Sequence, residues 1–428
     1  MVEIIKEEDY LKKLLEERIY SNTKSIKKTS LLVSKIISNV AKKGDDALRK
    51  YTLHFDNFDI KTEGVEVSKV EIDAAYNSCN RELRVSLQKA ARRINDYHRK
   101  QLPISFKYYD REKVFLGSKW DPLDSIGLYV PGGTAAYPSS VLMLGIPAKV
   151  AKVKKVLMCV PCPNGYLNQS VLAAAKIAKI DNIFKIGGAQ AIAAMGLGTA
   201  KIPPVDKIFG PGNKWVTEAK RQLFGQVGID MIAGPSEILV LADNKNNPKW
   251  IAADLLSQAE HDISSQSILV TDNKSFAKKV INSASEILKT LPRKDIAKKS
   301  WKNNGKIIIA KNLMNCADII NKIAPEHLQI AIDRPKSFSQ KITNAGAIFI
   351  GRYTPEAIGD YIAGPNHVLP TSRSARYSSG LSTQDYMRRT SLIEVKRNSF
   401  SDIGQAAIKI AKSEGLDAHA LSLELRNK

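Results

Sequence analysis

Eight short runs rich in β-branched residues recur between positions 126 and 350, and they constrain the fold more than anything else in the chain. The runs are Ile126–Val130, Val156–Val160, Ile183–Ile186, Val205–Phe209, Ile238–Leu241, Ile268–Thr271, Ile307–Ala310 and Ala347–Ile350. Helix-length amphipathic stretches lie between many of them. Strands that alternate with helices form βαβ units, and these assemble into mainly parallel sheets. Eight runs over this span fit two sheets better than one, with a division near Gly234-Pro235-Ser236. The flanks read differently. Leu11, Leu14, Leu15 and Ile19 recur at helical spacing, as do Leu32, Val33, Ile36, Ile37 and Val40, and Val85–Tyr97 continues the pattern. Ile403–Leu425 is helical again. It follows the last strand and is free to pack on a partner subunit.

Composition bounds the function. The chain has 428 residues, 43% of them hydrophobic, which suits two or three domains with their own cores. No apolar run approaches the ~20 residues needed to span a bilayer. The acidic, mixed N-terminus lacks the marks of a secretory signal, so a cytoplasmic address and no membrane partner are expected. Four cysteines are too few for a disulfide scaffold. Cys159 and Cys162 form a C-x-x-C, but it stands at a strand exit marked by Pro161 and Pro163, with no second C-x-x-C to make a zinc knuckle. The net charge of +22 comes from lysines spread along the whole chain, with no arginine-rich arm. It reads as a solvated surface. The alternative, a basic nucleotide- or nucleic-acid-binding protein with a Rossmann-like fold, predicts salt-sensitive binding and indifference to chelators. A generic aldehyde dehydrogenase would need a catalytic cysteine in a glycine-rich turn, and no such turn is found.

Three glycine-rich turns follow strand runs: Gly127 to Gly133, Gly187-Gly188-Ala-Gln190 and Gly210-Pro-Gly212-Asn213. A strand–glycine–helix joint aims backbone N–H groups and a helix N-terminus at a phosphate. None spells G-x-G-x-x-G, so the ordinary dinucleotide fingerprint is absent. Of six histidines, His54 and His98 have no informative neighbours. His261 ends the helix opened by Asn247-Pro248, one turn after Gln258. From chemistry alone His261 and Asp262 are the better metal ligands, because Gln is not a common one. Glu326-His327, at a helix-to-strand junction, suits acid–base work, and an exposed loop pair is the bland alternative. In the loop Gly359 to His367, Asp360 suits a metal and His367 a substrate. Glu414 and His419 would lie about 140° apart on a regular helix, so they converge only if Gly415 breaks it or both edges line one cleft.

Taken together, these segments resemble the histidinol dehydrogenase family. The matching stretches are Ile126–Gly133, Ala136–Ser139, Gly187–Ala193, Asp206–Asn213, Ala233–Glu237, Asp254–Asp262, Ala324–Leu328, Gly364–Thr371 and Glu414–His419. They run in family order and at family spacing from about residue 30 onwards. The resemblance implies a cytoplasmic, zinc-requiring, NAD-dependent four-electron oxidation of L-histidinol to L-histidine through L-histidinal, the last step of histidine biosynthesis. A paralogous zinc/NAD alcohol dehydrogenase for another imidazole or amino alcohol is the close variant. It implies one Zn2+ per subunit on Gln258, His261, Asp360 and His419, and substrate contacts from Ser236, Gln258, His261, His327, Asp360, Glu414 and His419. It also implies NAD contacts from Tyr129, Gln190 and Asn213, and Glu326 with His327 as the acid–base pair. Glu414 and His419 would come from the other subunit of a homodimer with shared active sites; nucleic acid is not among the implied partners. The lysine-rich stretch 149–155 and Cys159-Val-Pro-Cys162 depart from the family pattern, both outside the implied site.

The expected architecture is α/β, with two incomplete Rossmann-like βαβ domains built on parallel sheets, a helical N-terminal segment and a helical C-terminal arm. The expected boundaries are a helical segment 1–25, a first domain from 26–128 and 237–380 carrying most zinc and catalytic residues, an NAD-contacting domain 129–236, and an arm 381–428 exchanged with the partner subunit.

Overall fold

A computed structural model describes residues 2–6, 9–10, 23–132 and 136–427, with the side chains of 23–26 outside that description. The expected helical pattern of Leu11, Leu14, Leu15 and Ile19, and Gly133 of the first turn, lie outside the described residues.

All eight β-branched runs contain strands, and those strands fall into two parallel sheets. The six-stranded sheet has the order β1-β11-β10-β9-β12-β13. Its strands are β1 (Glu3–Lys6), β9 (Glu237–Ala242), β10 (Gln266–Thr271), β11 (Lys306–Ile309), β12 (His327–Ala331) and β13 (Ala347–Ile350). The five-stranded sheet has the order β6-β5-β4-β7-β8. It contains β4 (Ser125–Tyr129), β5 (Lys155–Cys159), β6 (Asn182–Phe184), β7 (Lys207–Phe209) and β8 (Gly228–Ile229).

Helices cover both faces of each sheet, as parallel strands apolar on both sides require. On the five-stranded sheet α5 (Pro138–Val150) and α6 (Gln169–Ala178) close one face, and α7 (Gly188–Leu197) and α8 (Lys214–Leu223) the other. On the six-stranded sheet α9 (Pro248–Ala259), α10 (Lys274–Thr290) and α11 (Lys294–Asn304) cover one face, and α12 (Ala317–Ile323) with α13 (Pro335–Ser339) the other. The punctuation works locally. Asn247 Oδ1 accepts from Lys249 N at 2.9 Å to cap α9, and α10 stops at Thr290, ahead of Leu291-Pro292.

The structure corrects one expectation, the helical start of the chain, and adds detail to two others. The segment 26–128 reaches both halves: most of its helices pack on the side of the five-stranded sheet, and Arg93 donates to Ile362 O at 2.7 Å. Helices α1 (Thr23–Lys43) and α2 (Asp45–Asp56) lay Val33, Ile36, Val40 and Leu48 on α7 and α8, while α3 (Lys69–Ser78) and α4 (Arg81–Arg99) pack on α6 and α5 through Ala75, Leu87, Ala90 and Ile94. Their apolar stripes find the outer surface of the five-stranded sheet's helices, a second layer that strand periodicity cannot announce. The chain also starts in a strand: β1 adds in parallel to the edge strand β11, Glu3 opposite Lys306. Finally, a small antiparallel sheet joins the two parallel ones. β2 (Phe106–Tyr109), β3 (Phe115–Pro122) and β14 (Met387–Glu394) form an antiparallel sheet of order β14-β3-β2, so the C-terminal region opens with a strand before its helices.

The arm helices α15 (Arg397–Ser413) and α16 (Asp417–Glu424) pack on each other through Ile408, Ala411, Ala420 and Leu423. Gly415, at φ +69°, does break the helix between Glu414 and His419. No helix among the described residues is long and apolar enough to cross a membrane.

Candidate active site

Strand alternation builds the centre of the site. Leu328 and Ile330 of β12 enter the core on the α12 side, so His327, Gln329 and Ala331 face α9. Gln329 donates to Asp254 Oδ2 at 2.8 Å, and one turn further along α9 stands Gln258, 1% exposed. His327 sits at the amino end of β12, where β9 and β13 also begin. Ligands of parallel sheets usually bind at carboxyl ends. Here the catalytic candidates occupy the amino edge of one sheet, whereas Tyr129 ends β4 at the carboxyl edge of the other. The two halves meet at this level, where Ser140 Oγ of α5 lies 3.3 Å from His367 Nε2.

The bland reading of Glu326-His327 fails, because the two residues are 6% and 3% exposed. They grip the same residue from two sides. His327 Nδ1 lies 3.0 Å from Glu237 O, and Glu237 N donates to Glu326 Oε2 at 2.8 Å. A carbonyl only accepts, so Nδ1 keeps its proton in either state of the ring, and Nε2 is the atom that gains or gives up the second one. That Nε2 is buried without a hydrogen-bond partner and lies 3.6 Å from Asp360 Oδ1.

Carboxylates crowd this ring. Glu356, in the single turn α14 (Glu356–Ile358), places Oε1 3.3 Å from His327 Nδ1. The Gln258 carboxamide, oriented by its partners, donates to the same Glu356 oxygen at 2.6 Å and accepts from Glu237 N at 2.9 Å. Burial pushes the carboxyls of Glu326 and Glu356 up to about 8, that of Glu237 to about 7 and that of Asp254 to about 6. Burial also opposes charge on His327, but Glu356, Glu326 and Asp360 outweigh it and raise the imidazole well above its ordinary value. Burial works against the Asp360 carboxylate too. The close His327 ring and its charge, then His367 and His261, bring it below its usual range.

His261 stands just past the end of α9, and burial lowers its pKa, favouring the neutral ring that binds metals. His327, Glu356 and Asp360 place one ligand atom each within 4.8 Å of one another. Beside this cluster the Asp360 carboxylate and a neutral His261 supply the oxygen and nitrogen donors that suit a divalent cation, and His327 Nε2 is left for protons. Asp262, the ligand that chemistry alone favours, is exposed and accepts from Ser264 N in a turn. Glu414 and His419 are exposed on the arm, and within one chain neither joins this cluster. Ser236 immediately precedes β9 and its carbonyl accepts from Gln266 N.

The second group lies on the five-stranded sheet. Tyr129 Oη accepts from Gly188 N at 3.1 Å. Gln190 is 1% exposed, with Oε1 unpartnered. Asn213 caps α8 by accepting from Trp215 N and Val216 N. Cys159 and Cys162 are buried free thiols, pushed up by burial to about 12 and about 11, so neither is a ready nucleophile.

Glu356, Glu237, Asp254 and Gln329 escaped the sequence reading. Two of them left a trace: Asp254 lies one helical turn before Gln258, and Gln329 one strand period after His327. Glu356 left none, because only the turn after β13 brings it back under β12.

Comparison with known proteins gives the family. A family model described as histidinol dehydrogenase matches residues 19–427. Curated histidinol dehydrogenases of Rhodospirillum rubrum and Gluconobacter oxydans are 53% and 52% identical, over 92% of this chain and 91% and 92% of their own. A crystal structure of histidinol dehydrogenase from Elizabethkingia anophelis superposes with a TM-score of 0.88 at 39% identity, covering 92% of this chain and 91% of that one. With a matching model over nearly its whole length and relatives above half identity, the chain belongs to the histidinol dehydrogenase family.

Proposed function

We propose that the protein oxidises L-histidinol to L-histidine in two NAD-dependent steps at a divalent-metal site completed by a second subunit. The observation that carries this reading is His327, whose Nδ1–H is fixed on the Glu237 carbonyl so that Nε2 alone takes and gives a proton inside a buried carboxylate cluster. Gln258, His261 and Asp360, with His419 of a second copy, would hold a cation that supplies a Lewis acid for the imidazole and amino groups of the substrate. Tyr129, Gln190 and Asn213 would hold NAD, the hydride acceptor of both steps.

The chain's own residues handle the protons. His327 Nε2 takes the hydroxyl proton of the alcohol as hydride leaves the carbinol carbon. The Glu237 carbonyl steadies the ring through Nδ1–H, and Glu356 and Asp360 favour the imidazolium that forms. Glu326 takes a proton from water adding to the aldehyde, and a carboxyl near 8 can accept and return a proton close to neutral pH. His327, once it has passed its first proton to water, then deprotonates the hydrate as the second hydride leaves to NAD. Ser236 and the partner's Glu414 complete the substrate pocket. The exposed arm supports the shared site, since Ile410, Leu416, Leu421 and Leu425 leave an apolar face that a neighbouring copy would cover.

The test is NAD reduction by L-histidinol before and after chelation, for the wild type and His327→Ala. Chelation should abolish turnover and metal should restore it, and His327→Ala should lose at least about 100-fold. Robust turnover by metal-free protein would remove the cation from the reading. Failure of the metal-replete protein to oxidise histidinol would remove the substrate.

A further inference from the structure

The Gly210 turn is held at both of its backbone polar groups by one buried ion pair. Gly210 N donates to Asp230 Oδ2 at 2.7 Å, and Gly210 O accepts from Lys220 Nζ at 3.0 Å. Lys220 and Asp230 are bonded to each other, their side chains 3% and 1% exposed. Asp230 Oδ1 also accepts from Met231 N at 2.6 Å. Desolvating two charges offsets much of their attraction, so a buried pair is a poor device for stability alone. Its geometric effect here is specific. Gly210 has φ +115°, and a Cβ there would fall 2.1 Å from Tyr129 O, so the turn presses directly against the end of β4. Three residues later Asn213 caps α8, whose last turn carries Lys220. The clamp therefore closes on itself: β7 leads into Gly210, α8 returns Lys220 beneath it, and the residue after β8 supplies Asp230.

We infer that Lys220 and Asp230 are positioning residues for the dinucleotide. They fix Gly210 so that Tyr129 and Asn213 keep the spacing on which NAD lies. This rests on the NAD reading given above. Neither residue needs to touch the cofactor, and neither belongs to the Asp360 cluster.

The experiment compares the metal-replete wild type, Lys220→Met and the double variant Lys220→Met/Asp230→Leu, using calorimetric titration with NAD, thermal melts and steady-state kinetics. The single variant leaves Asp230 unpaired and should melt at a lower temperature. The double variant replaces the pair with apolar groups of similar volume and should regain most of that loss. A purely structural pair would then recover NAD affinity with it. A positioning pair leaves NAD affinity and KM for NAD weakened about 10- to 100-fold, with KM for L-histidinol unchanged. Recovered melting with wild-type NAD affinity overturns the clamp. If the double variant melts low, Asp230→Asn decides: it keeps an acceptor for Gly210 N–H, so the clamp requires a KM for NAD near the wild type's, and a KM weakened as far as the double variant's overturns it. A wild type that binds no NAD overturns the NAD reading and the clamp together, an outcome separate from unchanged affinity in the variants.

Discussion

Among the six histidines, His327 and His98 are both buried and do opposite things. His327 is surrounded by carboxylates that favour its charge. His98, fully buried beside Thr383, has no such company, and burial lowers its pKa to about 4. In the unfolded chain it titrates near 6.5, so between those values the unfolded state binds the extra proton. Stability from a neutral His98 is therefore complete above about pH 6.5 and drains away as pH falls toward 4, by roughly 3 kcal/mol in all. Urea melts at pH 7 and pH 4.5 should show His98→Asn losing less stability on acidification than the wild type. Equal losses would show that His98 does not contribute to acid sensitivity. From the sequence the two histidines differed only by neighbours: Glu326 beside one, and nothing usable beside the other.

Local signals carried the elements well. All eight β-branched runs hold strands, Asn247-Pro248 opens α9, Leu291-Pro292 closes α10, and α12 gives way to β12 at Glu326-His327. Each depends on residues within a few positions, where backbone preference and periodicity act directly. The antiparallel sheet was invisible by the same logic. Its strands β3 and β14 are more than 250 residues apart in sequence, and most of their residues are not buried. A cap tests how far local chemistry extends to the site. Asn247→Ala removes the acceptor for Lys249 N and should cost about 1 kcal/mol in denaturant melts. Because Gln258 sits at the far end of α9, kcat with histidinol should stay within about twofold. A larger fall in kcat than in stability would mean that α9 transmits its start to its end.

At the scale of the whole molecule, the proposed function requires both sheet edges and two copies of the chain at each active site. Mixing tests this without any truncation. His419→Ala and His327→Ala protomers, unfolded and refolded together, form mixed dimers. If the arm acts in trans, one of the two sites in each mixed dimer is intact. Random pairing should then return about a quarter of wild-type activity from two inactive parents. No recovery, with mixed dimers verified by tagging, would place His419 in its own chain's site or outside any site.

What the sequence determined by itself was whatever short-range periodicity and residue chemistry can encode: mainly parallel α/β character, the positions of eight strands, the turns at Gly187 and Gly210, and Glu326, His327 and Asp360 as separate candidates for chemistry. Tertiary structure alone decided that α1–α4 wrap the five-stranded sheet, that Glu356 and Glu237 close on His327, and that Asp262 faces solvent while Gln258 does not. The physical reason is that burial and charge proximity arise between segments far apart in sequence. A carboxyl becomes a base near 8, or a histidine one that works through Nε2 alone, only when the fold removes water and brings a distant backbone carbonyl to its ring.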